Sequence, residues 1–300
     1  MYAITGASGN SGHVVAEKLL AHGEKVRVIG RSAERLQMLT ALGAEPIICD
    51  LTDKAALARA FAGAKGVYAM VPPDMTAKNY REHQDRVTDA QAAAIAEAKV
   101  KHVVTLSSFG ADKAEQTGPV VGLHLFEEKL NAISGLNALH LRAGYFMENT
   151  LPQTAIIKSM GVTAGPLRPE LELPMISTRD IGAAAAAKLI NLNFIGSQTL
   201  ELQGQRDISM AEAAGIIGRA IGRPHLSYVR MPNGDVRAAF IQMGMSESTA
   251  DLMIEMTEAL NSGHMAAIEK RRPENTTPTS YETFVKADFV PRFLGRPATA

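Results

Sequence analysis

The stretch TGASGNSG, residues 5–12, decides the reading of this 300-residue chain. It follows a short apolar run, Tyr2, Ala3 and Ile4, and precedes HVVAEKLL, whose apolar residues recur at helical spacing. A strand, a glycine-rich turn and a helix N-terminus make an anion site, because the first-turn amides lack intrahelical partners and the positive end of the helix dipole lies behind them. Gly6, Gly9 and Gly12 give the pattern G-x-x-G-x-x-G, one residue longer than the G-x-G-x-x-G dinucleotide fingerprint. In that fingerprint the glycines supply a tight turn, close approach of backbone to pyrophosphate, and close helix-to-strand packing. The bland alternative is a glycine loop that only turns the chain. No Gly-Lys-Ser/Thr follows, which excludes a P-loop.

Working outward, the same theme of β-rich run, turn and helical stretch repeats. Strands are expected at 2–5, 25–29, 45–49, 66–70, 102–106 and 137–141, with helices at 12–22, 32–42, 54–61, 77–98 and 120–134. This alternation predicts an α/β fold, a Rossmann-type doubly wound parallel sheet covered by helices on both faces. Its ligands belong at the carboxyl ends of the strands, where strand order reverses. After Asn149 the rhythm loosens. Residues 151–175 are rich in proline and glycine, a helix is expected at 179–191 and a strand at 198–202, and helical patterns follow at 209–221, 235–244 and 246–261 before a polar tail, TTPTSYETF. We therefore assign residues 1–150 to a dinucleotide-binding domain, with a return segment near 176–192. Residues 151–175 and 193–300 form a smaller C-terminal α/β substrate-binding domain.

Composition narrows the partners. The 31 basic and 31 acidic side chains cancel, without a run of five like charges, so nucleic acid and anionic membranes are not expected partners. Cys49 is the sole cysteine, which excludes an internal disulfide and a cysteine zinc cluster; at a strand end it reads as a small buried apolar residue rather than a reactive thiol. No stretch reaches the roughly 18 to 20 apolar residues of a membrane span, and no basic leader precedes the first motif, so a cytoplasmic location is expected. Neither H-E-x-x-H nor G-x-S-x-G occurs, so metal and acyl-transfer chemistry are not expected.

The end of the second strand tests which dinucleotide fits. An Asp or Glu some 20 residues past the glycines takes the ribose hydroxyls of NAD, whereas an Arg accommodates the 2′-phosphate of NADP. Here VRVIGRSAERL places Arg31 nineteen positions after Gly12, with no carboxylate at Ile29 or Gly30. This favours NADP(H), with Arg31 and Ser32 giving charge-assisted hydrogen bonds to the phosphate. The alternative is that Arg31 is a solvated charge and Ser32 only caps the next helix.

Taken in order, TGASGNSG, GRSAERL, CDLTD, VPP, LSSFGAD, LRAGYFMEN, STRDIGAAAAAKL and LELQGQRDISMAEAAGIIGRAIGR run across nearly the whole chain. Together they resemble the NmrA-like, atypical short-chain dehydrogenase/reductase family, and in particular its NADPH-dependent quinone reductase and azoreductase-like members. The resemblance implies that Gly6, Ala7, Ser8, Gly9, Asn10, Ser11 and Gly12 cradle the pyrophosphate, Arg31 and Ser32 the 2′-phosphate, and Asp50 and Leu51 the adenine. It also implies that Val71, Pro72 and Pro73 pass the nicotinamide ribose, and that Ser107, Ser108, Tyr145 and Phe146 border the nicotinamide. It implies no metal and no flavin.

One departure from the wider superfamily bears on chemistry. Hydroxysteroid-type members protonate a carbonyl oxygen through Tyr-x-x-x-Lys, and none of the six tyrosines here has a lysine four places on; Lys129 has Leu125 where the tyrosine should stand. An ordinary ketone would yield a strongly basic alkoxide that needs an acid or a stabilising site. A quinone yields a delocalised hydroquinone anion that solvent can protonate. The missing dyad therefore points to a quinone-like or azo-type acceptor, or to no catalysis. His124, Lys129 and Tyr145 remain as candidate catalytic residues, His124 because imidazole exchanges protons near neutral pH. The alternative for His124 is a helix-surface residue beside Glu127, Glu128 and Lys129. Six methionines between Met231 and Met265 read as a core face in preference to a substrate lining. Two functions stay open: an NADPH-dependent oxidoreductase acting on a small-molecule acceptor such as a quinone, and a non-catalytic NADP(H)-sensing regulator acting through a protein partner. An ether-reductase-like activity through Lys129 is a third. A homodimer is compatible with either of the first two.

Overall fold

Val, Ile and Tyr on the short apolar runs form strands because a parallel sheet buries both of its faces, and the helices between them supply the cover. The computed structural model describes residues 1–296. The first half runs β1 (Tyr2–Ile4), α1 (Asn10–Ala21), β2 (Val26–Gly30), α2 (Ala33–Ala41), β3 (Glu45–Ile48) and α3 (Lys54–Phe61). It continues through β4 (Gly66–Ala69), α4 (Tyr80–Glu97), β5 (His102–Ser108), α5 (Val120–Asn131) and β6 (Asn137–Ala143). Side-chain caps start several helices: Ser32 accepts from Arg35 N–H, Asp53 from Ala56 N–H and Asn79 from Glu82 N–H.

The second half runs β7 (Tyr145–Phe146), α6 (Gln153–Met160), β8 (Thr163–Gly165), β9 (Glu172–Ile176), α7 (Thr178–Asn191) and β10 (Ser197–Leu202). Then come β11 (Asp207–Ser209), α8 (Met210–Ala220), β12 (Tyr228–Arg230), α9 (Asn233–Gln242) and α10 (Glu247–Ser262). A short α11 (Tyr281–Phe284) continues through a π turn at Val285–Phe289 into α12 (Val290–Phe293).

Seven strands form the main sheet in the order β10-β6-β5-β4-β1-β2-β3, every neighbouring pair parallel. It is a Rossmann-type doubly wound α/β sheet. One face packs Val15, Leu19, Leu36 and Leu39 of α1 and α2 together with Ile181 and Leu189 of α7. The other packs Leu57 and Phe61 of α3, Val87 and Ile95 of α4, and Phe126 and Leu130 of α5. Each such fully buried side chain contributes about 1.5–3 kcal/mol relative to exposure. A separate core gathers Ile157, Met175, Ile216, Phe284 and Phe289 around two small sheets, β11-β9-β7 and β12-β8. No described helix is long and apolar enough to cross a membrane.

At three places the structure departs from or adds to the sequence reading. β5 and β6 run two residues further than expected, because Ser107 pairs with Arg142 and Ser108 with Ala143 in the ladder. The proline- and glycine-rich stretch contains β8 and β9, strands whose pairing with β12, β11 and β7 is tertiary. The polar tail carries two core residues: Tyr281 and Phe284 are each 1% exposed, and their rings stack at 5.9 Å between centroids. The methionine-rich segment is mixed, with Met265 buried in the second core and Met243 exposed.

Candidate functional site

The glycine loop lies where the sheet order reverses. From β1 the chain winds outward through β2 and β3, and β4 then joins the other side of β1, so the crevice between the ends of β1 and β4 is the switch point of the sheet. Thr5 ties the two strand ends together: Oγ1 donates to the Tyr68 carbonyl (3.2 Å) and accepts from Met70 N–H (3.0 Å). Gln91 Nε2 donates to the Met70 carbonyl (3.1 Å) from α4.

Two of the three glycines admit no side chain. Gly6 takes a φ of +63°, and a Cβ there would sit 2.5 Å from Met70 Sδ. A Cβ at Gly12 would sit 2.4 Å from the Gly6 carbonyl oxygen, so the first turn of α1 lies directly on the loop. Gly9 precedes α1 with extended backbone, donates its N–H to the Gly6 carbonyl (2.9 Å), and offers no side-chain cap; the first turn carries no acidic residue. The leading amides of α1 are thus left for an outside acceptor. Beneath them, the buried Tyr68 hydroxyl donates to Ser11 Oγ (3.0 Å), and burial pushes its phenol well above the ordinary value, keeping it a donor. Ala7 and Ser11 are buried, Ser8 half-buried, and Gly9 and Asn10 exposed.

Arg31 follows β2 directly and is exposed. Ser32 next to it caps α2, its Oγ accepting from Arg35 N–H (3.4 Å). After β3, Asp50 accepts from Thr52 N–H (2.8 Å) and Thr52 Oγ1 (2.7 Å); these bonds hold its carboxyl below the usual range, with Arg31 and His83 adding to the effect. Asp74 is held down in the same way by Thr76, again with His83 and Arg31 nearby. Leu51 is buried against α3, Val71 packs on the same core, Pro72 is half-buried and Pro73 exposed. The pyrophosphate, phosphate, adenine and ribose candidates therefore line up along the carboxyl ends of β1 to β4.

At the end of β5 the polar side chains are committed to one another. Ser107 Oγ donates to Glu127 Oε1 (2.5 Å), and Glu127 accepts Arg142 through both carboxylate oxygens (3.1 and 2.6 Å). Ser108 Oγ donates to the Phe109 carbonyl (2.9 Å). His124 Nδ1 lies 2.9 Å from the Ala111 carbonyl; because a carbonyl only accepts, Nδ1 carries the proton and Nε2 is left facing Glu128 Oε1 at 3.5 Å. Lys129 points to α4: Nζ donates to Thr88 Oγ1 (2.9 Å) and pairs with Asp89 (2.8 Å) and Asp85 (3.5 Å). One hydrogen bond and two carboxylates hold the ammonium against α4. The two residues of β7 diverge, Phe146 toward the main core and Tyr145 toward the second core, where burial pushes the Tyr145 phenol up to about 12.

Some contributors give no signal in the sequence. Glu127 and Arg142 lie on different elements, and neither spacing nor motif announces their pairing. The same holds for α10, which bridges the loops after β4 and β5. Ser246 N–H bonds the Met75 carbonyl (3.0 Å), Tyr80 N–H bonds Ser248 Oγ (3.1 Å), and Gly118 N–H bonds Glu255 Oε1 (3.1 Å).

Known proteins resemble this chain over nearly all of its length. The NAD(P)H azoreductase of Xenophilus azovorans is 28% identical over 302 residues, covering 99% of this chain and 94% of that one. Quinone oxidoreductase 2 of Escherichia coli (strain K12) is 28% identical over 268 residues, covering 88% and 89%. Among solved structures, the NADPH complex of the NADPH-dependent quinone oxidoreductase QOR2 from Escherichia coli has a TM-score of 0.73 at 24% identity, covering 100% of this chain and 96% of that one. The negative transcriptional regulator NmrA, in complex with NADP, has a TM-score of 0.66 at 16% identity, covering 98% and 97%. The model of the NmrA-like family matches residues 2–285, and the chain belongs to that family.

Proposed function

We propose that this protein is an NADPH-dependent oxidoreductase that delivers hydride to a quinone-like or azo-type small-molecule acceptor. The observation that carries the reading is the uncapped N-terminus of α1 over the Gly6–Gly12 cradle, at the switch point, with Arg31 exposed at the end of the next strand. The names of the two 28%-identical relatives support the oxidoreductase class. NADPH bound along the ends of β1 to β5 would supply the hydride and carry away the oxidised charge. The amides of Asn10, Ser11 and Gly12 would hold its pyrophosphate, and Arg31 its 2′-phosphate.

What the remaining side chains can do follows from their commitments. Ser107 gives its proton to Glu127, so toward a bound molecule it offers only lone pairs. Lys129 is held toward Thr88, Asp85 and Asp89 of α4. His124 is fixed by the Ala111 carbonyl, and its Nε2 faces the exposed Glu128 carboxylate, so it would reach a reacting oxygen only if Glu128 swung aside. With no strong acid arranged, catalysis rests on holding donor and acceptor together, and solvent protonates the reduced acceptor. One hydride and one proton convert a quinone to its hydroquinone.

The test is NADPH consumption with a panel of quinones and azo dyes. Acceptor-dependent oxidation supports the reading, and a His124→Ala protein with undiminished rates across several pH values removes His124 from the mechanism. Tight NADPH binding with no oxidation by any acceptor overturns the enzyme reading. That outcome favours an NADP(H)-sensing regulator, a reading supported by the likeness in fold to NmrA and by the committed Lys129.

A further inference from the structure

The second core contains a cavity bounded by α6, β8, α8, β12 and α11, with an inner volume of about 30 Å³ and about 300 Å³ when its mouth is included. On one side α8 presents Met210, Ala213, Ala214 and Ile217. On the other side three phenols converge, Tyr145, Tyr228 and Tyr281. No charged side chain lines it.

Hydrogen-bond accounting singles out one atom. Thr150 Oγ1 gives its proton to the Met147 carbonyl (2.7 Å), and Thr163 Oγ1 to the Ser227 carbonyl (3.1 Å). Gln153 is engaged by both groups of Ala164 (2.8 and 2.9 Å), Tyr228 donates to the Leu167 carbonyl (3.1 Å), and Tyr145 interacts with Asn149. The Tyr281 hydroxyl, on a residue 1% exposed, interacts with Thr150 but makes no hydrogen bond of good geometry within the protein. A buried hydroxyl without a well-formed hydrogen bond is unfavourable unless something occupies the space it faces.

The arrangement offers a donor not yet well bonded, Tyr281, and acceptor lone pairs on Tyr145 and Tyr228. A hydroxyl complements that set, since it accepts one bond and donates another. A bare carbonyl would use only the donor, and a charged group would be desolvated with no counter-charge. The inner volume holds about two waters, or the oxygen end of a larger molecule, and the apolar wall of α8 suits a ring.

We propose that this cavity binds a small phenol-type ligand, its hydroxyl accepting from Tyr281 and donating to Tyr145 or Tyr228, its ring lying against α8. The inference concerns binding and goes beyond the oxidoreductase reading; it stands whether or not the protein turns over.

Titration calorimetry of the full chain with phenol, and with toluene as the same ring without the hydroxyl, tests it. Phenol is expected to bind wild type, toluene at least tenfold more weakly, and Tyr281→Phe to lose at least tenfold in phenol affinity. Because Tyr281→Phe removes a hydroxyl that is not well bonded, its Tm is expected to equal or exceed that of wild type. A second variant, Ala214→Val, adds bulk at the apolar wall and is expected to abolish phenol binding. Absence of phenol binding to wild type, as for a cavity holding only water, overturns the proposal. So does equal affinity for phenol and toluene, or an unchanged phenol affinity in both variants.

Discussion

The two ends of the crevice are built from different material. At the β1–α1 end the unpaired polar groups are backbone amides, and side chains matter chiefly by being absent, as at Gly6 and Gly12. At the β5–α5 end, although its loop also has positive φ at Gly110, Gln116 and Gly118, the polar groups are side chains that bind one another: Ser107 with Glu127, Glu127 with Arg142, Lys129 with Asp85 and Asp89. A backbone site is compact in sequence, because consecutive residues make it. A side-chain network is assembled by the fold from distant positions, so its members read individually as unremarkable charges.

The largest expected effect lies in the side-chain network. Glu127→Ala leaves Arg142 as an unpaired buried guanidinium; Glu127 and Arg142 side chains are only 6% and 11% exposed. Loss of about 3–5 kcal/mol is expected in denaturant unfolding. A loss under about 1 kcal/mol would show that solvent already screens the pair.

Gly12→Ala tests the backbone end. Its Cβ would force the first turn of α1 off the Gly6 carbonyl, so NADPH affinity is expected to fall on the order of 100-fold, equivalent to about 2.7 kcal/mol, in a fluorescence titration. An affinity within a factor of about 3 of wild type would break the contrast between the two ends.

How much of this was legible in the sequence follows the same division. The βα rhythm and the loop were readable because parallel strands are short, apolar and punctuated by glycine, and the expected strands 2–5 to 137–141 all appear. β7, β8 and β9 were not, because they fall outside the alternating βα rhythm and are defined only by pairing with distant segments. Ser32 illustrates a residue whose sequence reading held two roles: the cap on α2 is observed, and a phosphate role is part of the proposed function. Lys129 is a candidate, with His124, as a polar residue of GLHLFEEKL, a placement that says nothing about α4, where its side chain goes. Tyr281 looked like part of a polar tail because its neighbours are Ser and Thr, yet it fills the second core.

Lys129→Met sharpens the comparison at smaller scale. Its partners Asp85 and Asp89 are largely exposed, so a stability loss below about 1 kcal/mol and an acceptor-dependent rate within about 3-fold of wild type are expected. A rate loss of about 100-fold would return Lys129 to the chemistry.

The smallest effect is a pH dependence. His140 is buried between Thr105 Oγ1 (2.8 Å) and Asn131 Oδ1 (3.0 Å), and burial lowers its pKa below the ordinary value, so the folded protein holds it neutral. The unfolded chain binds the extra proton as pH falls through about 6.5, which removes stability progressively below that pH. Tm is expected to drop by about 2 °C or more between pH 7 and 5.5, and by less in His140→Gln. An equal drop in both proteins would assign the effect to other groups.

In the proposed function, a backbone cradle and one arginine select NADPH at the β1/β4 switch point. Parallel titration of NADPH and NADH into wild type and Arg31→Ala tests it most directly. NADPH is expected to bind wild type about 10- to 100-fold more tightly than NADH, and Arg31→Ala to erase that difference while leaving NADH affinity unchanged. Equal affinities for the two cofactors in wild type, or an NADPH preference that survives Arg31→Ala, would contradict it.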